Sequence, residues 1–457
     1  MKLRKIEDLF LTMLIFCAAI FFVSCEDKNN PATVPPGAES GTPFANVPST
    51  ENIIMYEVNI RAFSAEGKLR GVNARLDAIK ALGVNVVWVM PVYPVGKLRS
   101  VNSPYCISDF TSVGSEYGTI TDLRELVEGA HKRDMAVILD WVTNHTSWDN
   151  KWMDSSNWYT KDGNGNIISP PGTNWADVAE LNYDNRNMRR AMIDAMKWWV
   201  TNANIDGFRC DAADYVPNDF WLEALSELNA LEGRKLIFLA EGARSDHFSA
   251  GFQMNFSWDF YGTMKNVFRN NYSSANLFIT HNQEYSKVPA GKRKLRFTTN
   301  HDESAWDATP MTIFNGKKGA LAAAVIAAYL GGVPLVYGSQ EVGVTEKVPF
   351  FSNAPINWSL NPDMLAEYKR ILNFYNSSDA LKKGMLEPFP GSEVNCFRKM
   401  YDSLQVLTMV NTRNYNVTYS VPPALTNTTW TNVFTGEVIT FTDTIRLSEY
   451  AYLIMKK

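Results

Sequence analysis

Gly207-Phe-Arg-Cys-Asp211 reads as a short buried strand that carries an acid at its C-terminal end. Side chains two apart in a strand share a face, so Arg209 and Asp211 point together while Phe208 and Cys210 face the opposite shell. Working outward, Asp140-Trp-Val-Thr-Asn-His145 precedes this stretch, and Leu239-Ala-Glu241 and Phe297-Thr-Thr-Asn-His-Asp302 follow it. Each motif closes or follows a short apolar run. Three of them would therefore deliver an Asp or Glu to the same end of a parallel sheet.

The rest of the chain supports such a sheet. Strand-like runs near Ile53–Val58, Val84–Met90, Ala136–Asp140, Gly207–Asp211, Leu236–Ala240, Phe252–Trp258, Leu295–Thr299 and Pro334–Tyr337 alternate with helical stretches. Among the latter are Asn73–Leu82, Thr121–Arg133 (with Thr121 as N-cap), Arg186–Asn202, Phe220–Leu231 behind Pro217, and Gly319–Leu330. Eight strands with helices between them predict an α/β fold, a (β/α)8 TIM barrel whose site lies at the strands' C-terminal ends. About forty residues separate Asp140 from the helix near Arg186, a length that marks a functional loop or small inserted domain. Trp148, Trp152, Trp158 and Trp175 fall in it, as candidate platforms for a flat ligand or as local packing. After about Leu381 short strands separated by Asn, Gly and Pro predict an appended antiparallel β domain.

Converging carboxylates are what a retaining glycosidase requires: one nucleophile, one proton donor, and further groups to grip the sugar. Arg209 beside Asp211 is expected to keep that acid ionised. Glu241 follows an apolar run, and partial desolvation there would favour the proton-bearing form of a general acid. Asp302 could grip hydroxyls. His145 and His301 are two of only five His, and both follow an Asn at a strand end.

Bulk properties agree. The chain has 457 residues and a net charge of −4 from 44 basic and 48 acidic residues, which gives no sign of a nucleic-acid partner. At the N-terminus Lys2, Arg4 and Lys5, interrupted by Glu7 and Asp8, precede an apolar stretch from Leu9 to Val23 that suits a signal peptide. Phe22-Val-Ser-Cys25 resembles a bacterial lipoprotein cleavage box, with an ordinary signal peptide as the simpler alternative. The expected layout is a signal ending at the lipidated Cys25, a Pro-rich tether over 26–49, a barrel over 50–380 with an insert at about 146–185, and a β domain over 381–457. Such a protein would be exported and held by its acyl chains at the bacterial outer membrane or cell surface. Cys106, Cys210 and Cys396 suggest neither zinc nor a disulfide framework.

Taken together, the ordered motifs resemble the α-amylase family of glycoside hydrolases (family 13) over most of residues 50–457. Tyr56-Glu-Val-Asn-Ile-Arg-Ala-Phe63, Gly83 to Pro91, Ser103-Pro-Tyr105, Asp109-Phe110, Tyr117-Gly-Thr119 and Gly332-Val-Pro-Leu-Val-Tyr-Gly338 with Glu341 add to the likeness. The resemblance implies Asp211 as nucleophile, Glu241 as general acid/base and Asp302 as transition-state stabiliser. It also implies that Tyr105, Asp140, His145, Arg209 and His301 line the subsite of the sugar to be cleaved. Expected substrates are starch-like α-glucans or maltooligosaccharides, cleaved with retention. An α-glucosidase or transglycosylase on short oligosaccharides is the nearest alternative, and a non-catalytic glycan-binding lipoprotein the alternative of another class. No cofactor is required. Calcium is the metal the resemblance brings with it: Asn144 matches a family ligand and Glu180 could add an oxygen, against the six to eight that calcium takes. Two departures bear on specificity. Asp214 and Tyr215 stand where many α-amylases have Lys and His, and Ala179-Glu-Leu-Asn182 replaces a Pro-Asp-Leu motif.

Overall fold

A computed structural model describes residues 41–457. Eight parallel strands close a barrel: β1 (Met55–Val58), β2 (Val86–Val89), β3 (Ala136–Val142), β4 (Gly207–Asp211), β5 (Ile237–Ala240), β6 (Met254–Phe256), β7 (Arg293–Arg296) and β8 (Val333–Tyr337). Each pairs with its neighbours in the chain, and β8 closes on β1 through Met55–Leu335 and Tyr56–Val336. Nearly every strand residue is buried, as parallel strands covered on both sides must be.

Helices α1 (Ile120–His131), α2 (Arg186–Asn202), α3 (Asn218–Asn229), α4 (Trp258–Arg269), α5 (Asn276–Tyr285), α6 (Lys317–Tyr329) and α7 (Pro362–Ser377) form most of the outer layer. The N-cap of α1 is Thr119, not Thr121. Its hydroxyl accepts from the Asp122 N–H, and the Asp122 carboxylate accepts from the Thr119 N–H, a reciprocal capping box. The stretch expected as one helix over 73–82 splits into Leu69–Asn73 and Leu76–Lys80. β7 starts two residues and ends three residues earlier than expected, and its polar members are internally satisfied. Arg296 bonds Glu284 at 2.8 Å and lies over the Phe260 ring, and Lys294 donates to Asn255 at 2.7 Å.

Register places the acids. Asp140 pairs with Arg209 and Val142 with Asp211 across β3 and β4, and Cys210 pairs with Ala240 across β4 and β5. Glu241 is therefore the first residue beyond β5, with its N–H on the Cys210 carbonyl at 2.9 Å. The long β3–α2 connection carries the antiparallel pair His145–Ser147 and Val178–Glu180, which sets His145 opposite Glu180.

Beyond the barrel, β9 (Met385–Phe389), β10 (Val394–Tyr401), β11 (Leu404–Asn411), β12 (Val417–Ser420), β13 (Thr429–Asn432), β14 (Val438–Thr440), β15 (Thr444–Leu447) and β16 (Tyr452–Lys456) are antiparallel. Their core includes Leu407, Met409, Trp430, Phe441 and Met455. Buried Arg413 staples this region to the barrel through the carbonyls of Val267 and Tyr272, and also donates to the Ser392 carbonyl of its own domain.

Cys25 and residues 26–40 of the expected tether lie outside the described residues. The last part of that tether is docked, not free. Phe44 stacks on His131 at 4.5 Å, the Thr42 carbonyl accepts from Asn204, Asn46 donates to Asp134, and Lys235 donates to the Val47 carbonyl. Asp134, Asn204 and Lys235 all precede barrel strands, so this segment lies on the pole where the strands begin. A half-buried ring and three hydrogen bonds hold it there.

Candidate active site

At the opposite pole, where the strands end, a cavity of about 560 Å³ is lined by Tyr105, His145, Asp211, Glu241, His301 and Asp302, together with Trp175, Trp306, Phe350 and Phe351. Six of the eight residues singled out from sequence share this one cavity. Asp140 and Arg209 do not line it. Both are completely buried one layer beneath the floor, because Tyr105 and Trp88 cover them: Tyr105 Oη and Trp88 Nε1 donate to Asp140 Oδ2 at 2.9 and 3.1 Å.

Arg209 is the hub of the floor. Its Nη1 lies 2.7 Å from Asp140 Oδ1 and 2.8 Å from Asp211 Oδ1. Its Nη2 stands 2.9 Å from Glu241 Oε1 with the N–H poorly aimed, so this third contact is an ion pair without hydrogen-bond geometry. One guanidinium thus ties the acids of three successive strands. Glu241 Oε2 also accepts the Ala212 N–H at 2.7 Å, and the Glu241 carbonyl accepts the Ala213 N–H at 2.9 Å. Ala212 adopts a left-handed conformation (φ 45°), which bends the chain back towards Glu241 immediately after Asp211.

The electrostatics differ from the expectation for Asp211. Burial, opposed by Arg209 but reinforced by Glu241, Asp140 and Asp302, holds its pKa well above the usual carboxylate range. One cation does not offset desolvation and three neighbouring acids. Burial likewise raises Asp140, against the pull of Arg209 and His301. His301 behaves in the opposite way. Burial pushes it down, but Asp302 and Glu57 outweigh that and lift it to about 9. Its Nδ1 is 2.6 Å from Glu57 Oε1, and its Nε2 is 2.8 Å from Tyr105 Oη and 3.4 Å from Asp302 Oδ2. His145 is pushed down to about 4 by burial and is therefore a neutral imidazole near neutrality.

Aromatic rings extend the cavity in two directions. Trp175 packs against His145 and tilts on Tyr215 at 5.8 Å, and Tyr215 is 55% exposed. Opposite, a π-helical turn over Glu303–Asp307 follows Asp302 and presents Trp306, 61% exposed, against Phe350 and Phe351. Lys265 pins that turn through Glu303 and Asp307. Of the insert's other Trp residues, Trp152 packs on Trp158 and Phe110, and Trp148 lies under Arg99.

Sequence reasoning passed over Glu57, Trp88, Trp175 as distinct from its neighbours, and Trp306. The signals available were a lone acid inside the apolar run Met55–Val58 and an aromatic four residues after Asp302. Asn144 and Glu180, the two calcium candidates, both neighbour His145, Glu180 as its partner across the two-stranded insert. The Asn144 amide sits 3.4 Å from His145 Nδ1, and no group of three or more His, Cys, Asp or Glu side chains converges as a metal site among the described residues.

Comparison with known proteins agrees with this geometry. The family model described as the alpha amylase catalytic domain matches residues 24–166 and 173–253. The chain is 28% identical over 342 residues to alpha-amylase MalA of Haloarcula japonica, covering 71% of this chain and 49% of that protein. It is 26% identical over 404 residues to alpha-amylase 3 of Dictyoglomus thermophilum, covering 78% of each. It thus spans about half the length of the former relative and most of the latter. Among solved structures, an α-amylase from Lactobacillus plantarum superposes with a TM-score of 0.80 at 25% identity, covering 89% of this chain and 99% of that one. Barrel, acid-bearing strand ends and sequence similarity lead to one assignment: the chain belongs to the α-amylase family of glycoside hydrolases.

Proposed function

We propose that this protein is a retaining α-glucan hydrolase acting on starch-like polysaccharides or maltooligosaccharides. The observation that carries the reading is the single buried guanidinium of Arg209 joined to Asp140, Asp211 and Glu241 under a cavity walled by His301 and Asp302. In the first step a carboxylate oxygen of Asp211 attacks the anomeric carbon. The C1–O bond breaks, and the proton of Glu241 goes to the departing oxygen. In the second step Glu241 takes a proton from water, the water oxygen attacks C1, and Asp211 leaves with α configuration restored. Asp211 and Glu241 share one cation, and the productive form carries its proton on Glu241. Asp302 and protonated His301 grip hydroxyls, neutral His145 donates another hydrogen bond, and Tyr105 supplies a ring face. Asp140 acts from below by fixing Tyr105 and Arg209.

The aromatic walls on two sides of the acids favour chains over single sugars. Product analysis on amylose, pullulan, cyclodextrin and maltotriose tests this, with Asp211→Asn as control. Ladders from amylose support endo hydrolysis, glucose alone supports a glucosidase, and products longer than substrate support transfer. Release of no sugar from any α-glucan, with maltooligosaccharide binding retained, would refute catalysis.

The same reading extends to an exported lipoprotein anchored through Cys25 at the outer membrane or cell surface. Its support is the basic and apolar N-terminal pattern and the Pro-rich stretch that follows. Palmitate labelling that is unchanged by Cys25→Ala would sink it.

A further inference from the structure

The position three residues after Asp211 holds an acid where many α-amylases carry Lys, and its side chain turns towards the Glu241 segment. Asp214 Oδ2 accepts the Ala243 N–H at 3.0 Å and Oδ1 accepts the Arg244 N–H at 3.3 Å. Gly242 stands between them at φ 153°, and a Cβ there would lie 2.3 Å from Asp214 Oδ1. The approach is close enough to require glycine. Arg244 returns the contact, its Nη1 donating to the carbonyls of Asp214 and Val216 while Nε and Nη2 hold Asp246. The fully buried His247 ring closes the cluster, with Nε2 3.3 Å from Asp214 Oδ1.

These contacts continue a ladder already described. The turn after the nucleophile donates the Ala212 N–H to the Glu241 carboxylate and the Ala213 N–H to the Glu241 carbonyl. Asp214 then accepts from the two residues that follow Gly242. Four polar links over three residues of one turn fix both the main chain and the carboxylate of Glu241. The Asp214 side chain is 37% exposed, yet both of its oxygens are turned to this segment. Asp214 does not line the cavity, whereas Tyr215 packs on the cavity-lining Trp175.

We propose that Asp214 is a positioning residue, a strut that holds the proton-donating Glu241 in register with Asp211. This rests on the assignment of Glu241 as general acid. A misplaced acid costs most when the leaving group needs a proton, so the test compares two leaving groups in kcat/KM, which reports the first bond cleavage. Maltopentaose needs protonation of its departing oxygen; α-maltosyl fluoride does not. Asp214→Ala is expected to lower kcat/KM on maltopentaose roughly 10–100-fold and on the fluoride by less than about threefold. Glu241→Gln serves as the reference with the same but larger split. Equal losses on both substrates, or no loss on maltopentaose, would overturn the strut. If Glu241→Gln itself showed no split, the assignment of Glu241 would fail instead. Should Asp214→Ala melt early by circular dichroism, Asp214→Asn carries the test. It keeps one oxygen for the Ala243 N–H, and a split of about 3–10-fold is expected.

Discussion

Replacing Arg209 by Lys keeps the buried charge and removes its shape. The guanidinium reaches Asp140 and Asp211 from Nη1 and Glu241 from Nη2, at 2.7, 2.8 and 2.9 Å. An ammonium ends in one nitrogen and cannot occupy both places, so at least one of the three contacts is lost. A hydrogen bond to a charged group is worth about 1.5–3 kcal/mol, which translates to roughly 10–100-fold in kcat/KM if the reacting carboxylates lose their alignment. The pH profile should move as well. Burial already holds Asp211 above the usual range and Arg209 is the group that opposes it. A weaker opponent lets that pKa rise further. Because the nucleophile must be ionised, the acidic limb of kcat/KM should shift to higher pH. The assay is kcat/KM on a chromogenic maltooligosaccharide from about pH 4 to 9, with thermal melts alongside to check folding. A folded Arg209→Lys protein whose kcat/KM stays within about threefold of the parent, with an unmoved acidic limb, would refute the hub.

Three further outcomes follow from the same cluster and its walls. Asp211→Asn should abolish hydrolysis by about 10⁴-fold or more, yet raise the melting temperature near neutrality. The raised Asp211 pKa means that ionisation costs folded-state stability, a cost absent at low pH and growing as pH rises through that pKa, so a gain at acid pH alone would contradict it. His301, lifted from 6.5 to about 9, contributes up to about 3 kcal/mol that is fully present below its unfolded pKa and lost as pH rises through about 9. Urea denaturation at successive pH values should show this loss in the parent and less of it in Glu57→Gln. Trp175→Ala should raise KM for maltopentaose about 5–30-fold with a smaller effect on kcat, as truncating a buried contact ring usually does, and an unchanged KM would remove Trp175 from the binding surface.

The acids that end apolar strands were legible because chemistry puts them there: Asp140, Asp211 and Glu241 each terminate or follow a run that only a parallel sheet would bury. What holds them in place was not. Glu57 sits within a strand that reads as apolar, and its partner His301 is 244 residues away, a pairing that exists only once β1 and the loop after β7 meet. The direction of the Asp211 shift was misjudged for a related reason. Arg209 is its neighbour in sequence and was counted, whereas the desolvation and the other acids come from separate strands. Lys294 made β7 read as starting later, because a single strand cannot disclose that Asn255 will satisfy it. Four tryptophans in one insert looked alike, and only packing separates Trp175 from those that hold the loop together.

The segment from Thr42 to Val47, fastened to the pole where the strands begin, fixes a direction as well as a length of chain. The polypeptide leaves the barrel on the side away from the cavity. A chain entering there leaves the cavity mouth to the loops that follow the strands, so residues 42–47 neither line the cavity nor stand in the path of a glucan chain entering it.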